Sequence, residues 1–372
     1  MHQSDSVIDL FTQLVLVPGI SLNEQNVAAF IREKLENLPY TIEQDATGAA
    51  IGGDCGNLII KPNHFDAAKP TRIYMAHMDT VRPTDGIRVV RENGVIRSDG
   101  SSQLGADDRA GVAILLHLLL QDEIHSQNDA NFMVVFTVAE EIGLLGATNL
   151  DLSPYDVDGV YVFDSSKPPG AYLKDCAGKY EFEVLIQGRA AHSAVNPEDG
   201  INAIMVAAEA LSQLTIGRIS DMTTINVGHI EGGGILNVVS PSCKVAGEVR
   251  AVTIEEVHKY LDSFEAIFEN TAAKYGAKST FVRHKGFAPF SLSPNSLVVR
   301  SIETAIRRAG ATVNPVSYSG GSDANVLNEK GFDAVNIGIG VNKPHADDES
   351  IREDDLLMAY KIGRELMLDH QS

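Results

Sequence analysis

The segment Phe132–Val138 constrains this chain more than any other. It is a continuous, largely β-branched apolar run with no polar alternation. Such a run predicts a strand covered on both faces, as in a parallel sheet with helices on each side. It stops on two adjacent carboxylates, Glu140 and Glu141, followed by Gly143. Ligands of open α/β sheets bind beyond the carboxyl ends of the strands. Two acids delivered there by a buried strand are expensive to place unless a cation or a reaction uses them. The plainer alternative is that they begin the next helix, where acids favour the positive dipole end. The pair alone does not decide.

The flanking sequence repeats the pattern. Residues 5–16 and a helix after Asn23 carry apolar stripes, and Pro18-Gly19 ends the first. Asn57–Lys61 and Thr71–His77 predict strands, and paired turn signals over 82–100 predict a β-hairpin. Gly105-Ala106-Asp107-Asp108 opens a helix. The strand at 132–138 follows, then the strand Gly159–Asp164. Strands alternating with helices give an α/β layer structure.

Between about 177 and 286 the order changes. Tyr180–Gln187 predicts a strand, Ile201–Leu214 a helix, and 223–230 and 243–251 two strands separated by Gly232-Gly233-Gly234. Thr253 with Glu256 forms a capping box for a further helix, and Lys278–Lys285 predicts a last strand. The order β-α-β-β-α-β is that of a ferredoxin-like unit, inserted into the α/β domain. That domain then comprises 1–176 and 287–372, with helices at 295–309, from Ser322 and at 352–368, and strands near 313–318 and at Ala334–Ile339.

Each candidate for chemistry has a plain alternative. His77 and Asp79 lie two apart at a strand end, so an extended backbone points both to one face. That spacing suits an imidazole ligand whose other ring nitrogen is held by a carboxylate, yet H-x-D also occurs in surface turns. Asp107 sits where a helix begins and could be its N-cap; Asp108 beside it leaves one of the two acids spare. Asp164 ends an apolar strand, where a turn-initiating Asp is as common. His345 lies in a loop and is one of eleven histidines. Together, His77, Asp107, Glu140, Glu141 and Asp164 all fall at strand ends or just after them. Two histidines with three or four acids suit a pair of divalent metals sharing a carboxylate, with one glutamate left to move a proton.

Other classes find less support. A net charge of −20 argues against nucleic acid or an anionic membrane as the main partner. No apolar run approaches membrane-spanning length, and no signal peptide is evident. The three cysteines, Cys55, Cys176 and Cys243, form no C-x-x-C pair, so a reducing cytoplasm is the expected compartment. No G-x-S-x-G, Walker-type loop or G-x-G-x-x-G after a strand is present.

Five motifs in order strongly resemble the M20 family of dizinc peptidases and deacylases. They are M-A-H-M-D-T over 75–80, L-G-A-D-D-R-A-G over 104–111, T-V-A-E-E-I-G over 137–143, V-F-D-S-S over 162–166 and P-H-A over 344–346. The resemblance covers essentially the whole chain. The G-A-D-D-R-A-G string, Asp164 in place of Glu, and G-G-S-D-A-N-V-L over 320–327 resemble the peptidase T (tripeptide aminopeptidase) branch most. Arg109 departs from it, since that branch more often has Lys.

The resemblance implies a helix-flanked mixed-sheet catalytic domain with an inserted ferredoxin-like lid and dimerisation domain at 177–286. It implies two Zn2+ per chain, with Co2+ or Mn2+ as alternatives. Asp107 would bridge them, followed by a cis peptide to Asp108; His77 and Asp164 would complete one site, Glu141 and His345 the other. Asp79 would orient His77, and Glu140 would be the general base and acid. In the lid, His192 matches the histidine that stabilises the developing oxyanion, and Asn237 and Arg250 match residues that hold substrate. The implied activity is hydrolysis of short peptides, with a homodimer through the lid. N-acyl amino-acid amidohydrolase or carboxypeptidase activity is the sibling alternative, and a non-catalytic binding protein on the same scaffold the alternative of a different class.

Overall fold

The structure is a computed structural model that describes residues 6–127 and 131–368; Asp5, the expected start of the first helix, lies outside them. The chain divides into two compact units. One runs to Lys174 and resumes over Leu292–Val316 and from Ser322; the other comprises Asp175–Ser291 and Ser317–Gly321.

The first unit is built on a mixed sheet. Its strands lie in the spatial order Tyr40–Gln44, Leu58–Pro62, Phe132–Thr137, Thr71–His77, Val157–Ser165, Ala334–Gly338 and Ala171–Cys176. The four strands from Phe132–Thr137 to Ala334–Gly338 are parallel, and the flanking pairs are antiparallel. Phe132–Thr137 and Thr71–His77 are buried at every position, which explains the apolar runs Phe132–Phe136 and Ile73–Ala76 within them. Tyr40–Gln44 and Ala171–Cys176 carry polar side chains at part-exposed positions and were not anticipated from the sequence.

Helix Ala106–Leu119 is almost entirely buried. Gly111 lets it approach the sheet, because a Cβ there would meet the Phe163 carbonyl oxygen at 2.1 Å. The first helix, Val7–Leu14, starts on a Ser6 capping box with Asp9.

The second unit follows the order strand Gly178–Gln187, helix Ala203–Leu211, strands Thr224–Gly232 and Ser242–Ala251, helix Ile254–Lys274 and strand Lys278–Phe287. The long strands are ordered Thr224–Gly232, Ser242–Ala251, Gly178–Gln187, Lys278–Phe287, all antiparallel. This is the expected βαββαβ unit, with a short extra edge strand at Gly217–Arg218. One sheet face packs on the helices through Phe182, Val184, Val245, Leu261, Phe264 and Phe268. Thr253 caps the long helix by accepting the Glu256 N–H at 3.2 Å, a contact worth about 1 kcal/mol. The other helix is shorter than Ile201–Leu214 because Asn202 caps it, accepting from Ile204 and Met205.

Candidate metal centre

Three neighbouring parallel strands deliver the first ligand candidates. Thr71–His77 lies between Phe132–Thr137 and Val157–Ser165, with His77 beside Thr137. His77 is 2% exposed. Its Nδ1 lies 3.0 Å from the Asp79 carbonyl oxygen and 3.3 Å from the Asp79 carboxylate. Its Nε2 faces Asp107 Oδ1 at 3.3 Å, Asp164 Oδ1 at 3.7 Å and Glu140 Oε2 at 4.0 Å.

Asp79 does more than hold the imidazole. Its carboxylate accepts the Glu140 N–H at 3.0 Å, the Glu141 N–H at 3.2 Å and the Ser21 hydroxyl at 2.7 Å. The strand stops at Thr137, and Ala139 turns the chain with φ +51°. An extended backbone would send the two glutamates to opposite sides. The turn instead places both carboxylates within 4.8 Å of His77 and of one another.

Asp107 and Asp108 divide the work anticipated for either. Both have non-helical φ and ψ, and the peptide bond between them is cis. Asp108 serves the helix start: Oδ1 accepts the Gly111 N–H at 3.0 Å, and Oδ2 accepts the His77 N–H at 3.2 Å. Asp107 is thereby released from capping. One of its oxygens faces His77 Nε2 and the other faces His345 Nε2, each at 3.3 Å. His345, at φ +66° on its loop, also approaches Glu141 Oε1 at 2.9 Å. Glu141 and Asp107 thus converge on His345 from two sides.

The donors form overlapping triads, His77–Asp107–Asp164 and Asp107–Glu141–His345, each within 4.8 Å, with His77–Glu140–Glu141 as a third. Among the protein groups alone, burial pushes Glu140 and Asp164 well above the ordinary carboxylate range, and neighbouring acids add to it. Burial opposes charge on His77, but the Glu140, Asp107 and Asp79 carboxylates outweigh it and raise the imidazole. Asp107 and Glu141 beside it lift His345 to about 10. Carboxylates this close and this buried repel one another's ionisation. Cations relieve that repulsion, displacing protons as they bind. The nitrogen and oxygen donors, in two sets sharing Asp107, therefore fit a pair of divalent ions.

His192, Asn237 and Arg250 belong to the second unit. His192 and Asn237 are exposed on adjoining loops, where Ser193 donates to the Asn237 carbonyl at 2.9 Å. Arg250 is half-buried between Glu248, at 3.0 Å, and the Ser319 carbonyl, at 2.7 Å.

Four buried charged residues escaped the sequence reading. Glu24 accepts the Ala139 N–H at 2.9 Å, and burial followed by the charge of Asp79 lifts it to about 7. Arg109 is fully buried, donates to the Gly19 carbonyl at 3.1 Å, and is brought down to about 10 by burial. Asp323 accepts the Thr137 hydroxyl at 2.6 Å. Glu349 bonds the Asp107 turn. Arg109 and Asp323 stood in motif strings and Glu349 near His345, but nothing in the sequence marked any of the three as buried, and Glu24 carried no signal at all.

Comparison with known proteins adds family evidence. A peptidase dimerisation domain profile matches residues 177–276, and an M42 glutamyl aminopeptidase profile matches 88–167. The latter segment contains Asp107, Glu140, Glu141 and Asp164. An uncharacterised protein of Bacillus subtilis, YqjE, is 30% identical over 364 residues, covering 97% of each chain. Among solved structures, an aminopeptidase PepT from Bacillus cereus has a TM-score of 0.89 at 29% identity, covering 98% of each chain. A tripeptidase from Staphylococcus aureus has a TM-score of 0.90 at 28% identity, covering 97% of this chain and 96% of that one.

Proposed function

This chain belongs to the M20 family of metallopeptidases, and on that premise we propose that it removes amino-terminal residues from short peptides, with tripeptides as the preferred class. One observation carries the metal chemistry: the two oxygens of Asp107 face two different histidines at equal distances of 3.3 Å. His77, Asp107 and Asp164 would hold one ion, and Asp107, Glu141 and His345 the other. Zinc suits this nitrogen and oxygen set, with Co2+ or Mn2+ as substitutes. When bound, such a pair polarises a peptide carbonyl and acidifies water.

The chain's own groups do the rest. Asp79 fixes the ring of His77 and, through two backbone N–H groups, the turn that carries both glutamates. Glu140 is set back from His77, at 4.0 Å against 3.3 Å for Asp107. Burial raises its affinity for a proton. Both properties suit a group that takes a proton from water and returns it to the leaving amine. His192 would donate to the oxyanion, and Asn237 and Arg250 would hold the peptide.

The match to a dimerisation domain supports a homodimer through the second unit. Val195 at 76% exposure, Ile235 at 75% and Leu236 at 98% lie on the same loops as His192 and Asn237, and apolar side chains so exposed often mark protein contacts. Among the described residues, no helix is long and apolar enough to cross a membrane. The three cysteines are buried and no disulfide joins them, which suits a reducing cytoplasm.

A substrate panel tests the specificity. Metal-loaded protein is expected to cleave tripeptides with a free α-amine faster than acetylated amino acids or peptides trimmed from the carboxyl end. Faster cleavage of acetylated amino acids would make it an amidohydrolase instead.

A further inference from the structure

Glu349 stands four residues after His345 and is fully buried. Its Oε2 accepts the Gly105 N–H at 2.6 Å, and its Oε1 accepts the Asp107 N–H at 3.0 Å. These N–H groups begin the helix Ala106–Leu119, whose N-cap Gly105 has no side chain to cap it. Orphan donors at a helix start need acceptors. Asp108 accepts from Gly111 and His77, and the oxygens of Asp107 face the two histidines. A carboxylate from a distant loop therefore supplies what the local aspartates withhold.

That loop is the one that carries His345. Lys343 and His345 adopt positive φ, +52° and +66°, which non-glycine residues keep only where the surroundings hold them. Here Arg82 donates to the His345 carbonyl at 2.8 Å and to Asp347 at 2.6 Å, while the Glu349 N–H closes the loop on the Ala346 carbonyl at 3.1 Å. Glu349 thus joins the turn bearing Asp107 to the loop bearing His345.

We infer that Glu349 is a positioning residue that locks Asp107 and His345 into one rigid half-site, setting the affinity for the second of the two cations. The inference rests on the two-cation reading above and deepens it. Glutamine at 349 retains one acceptor but turns an NH2 group toward the other backbone N–H, so one of the two bonds is lost.

The test is titration of metal-free protein with Co2+, followed by visible absorption and by competition with a chelating dye. The parent is expected to take up two equivalents. Glu349→Gln should bind the first within about 3-fold of the parent and the second about 10–100-fold more weakly, the usual effect of removing a group that orients ligands. Loss of general stability alone would not split the two equivalents. Should Glu349→Gln not fold, Glu349→Asp, which keeps the charge but is one methylene shorter, is expected to give the same split. Two equivalents in the parent with both unchanged, or both weakened equally, in the variant would overturn the role of Glu349 alone. A parent that binds a single equivalent would overturn the two-cation reading, and this inference with it.

Discussion

The strand-end cluster and the polar groups of the second unit differ in how firmly they are held. His77 is buried, with one ring nitrogen held by Asp79, and Asp79 itself takes three further hydrogen bonds. His192 is exposed, and its Nδ1 accepts the N–H groups of Ala194 and Val195, at 3.2 Å and 3.3 Å. On the proposed function the contrast follows from what each set would have to meet. Lone pairs that share an ion must converge before it arrives, or ordering them opposes binding. Groups that meet a peptide can stay in water until the peptide displaces it.

Removing metal breaks the comparison most completely. Dialysis against a strong chelator is expected to abolish peptide hydrolysis, and re-adding Zn2+ or Co2+ to restore it; undiminished activity in protein shown to be metal-free would contradict the whole scheme. Next in size is Phe268→Ala. Phe268 is fully buried in the core of the second unit, and truncation there costs about 3–5 kcal/mol. Chemical denaturation should show the loss while metal content stays at the parent value.

His192→Ala sharpens the contrast from the other side. Losing one oxyanion donor lowers turnover about 10²–10³-fold, with both metals retained. Parent-like turnover would remove His192 from the reaction. Mixed dimers of His192→Ala with a Glu140 variant would regain activity if the histidine serves the partner subunit.

The smallest effect is a pH dependence. Burial, then the charge of Asp79, raises Glu24 from 4.5 to about 7 in the folded chain. The folded state therefore binds a proton that the unfolded state has released. Stability falls as pH rises from about 4.5 to about 7 and levels above that, by at most about 3 kcal/mol. In metal-free protein, Glu24→Gln should flatten this part of the curve; an unchanged slope would exclude Glu24 as its source.

Much of the first unit was legible because burial on both faces writes itself as an unbroken apolar run. Phe132–Thr137 and, after Arg72, Ile73–Ala76 are such runs, and each leads into acids or a histidine. The spacing of His77 and Asp79 was legible for a similar reason, since period two fixes the face. The turn at Ala139 was not, because its positive φ is imposed by Asp79 and Glu24, whose N–H partners lie far along the chain. An extended backbone therefore does not describe the directions of Glu140 and Glu141. The roles of Glu349 and Arg109 were hidden for the same reason, each answering groups brought near by the fold. In the second unit the strand and helix order was readable, whereas the extra edge strand is too short to leave a periodic pattern.

Metal content and turnover measured together on Glu140→Ala and Glu141→Ala test the division of roles at the centre of the account. Glu140→Ala is expected to keep two equivalents of metal and lose about 10²–10⁴-fold in turnover. Glu141→Ala should lose metal, and activity with it. Metal lost from Glu140→Ala but kept in Glu141→Ala would reverse the two roles, and parent turnover in both would contradict metal-assisted hydrolysis at this site.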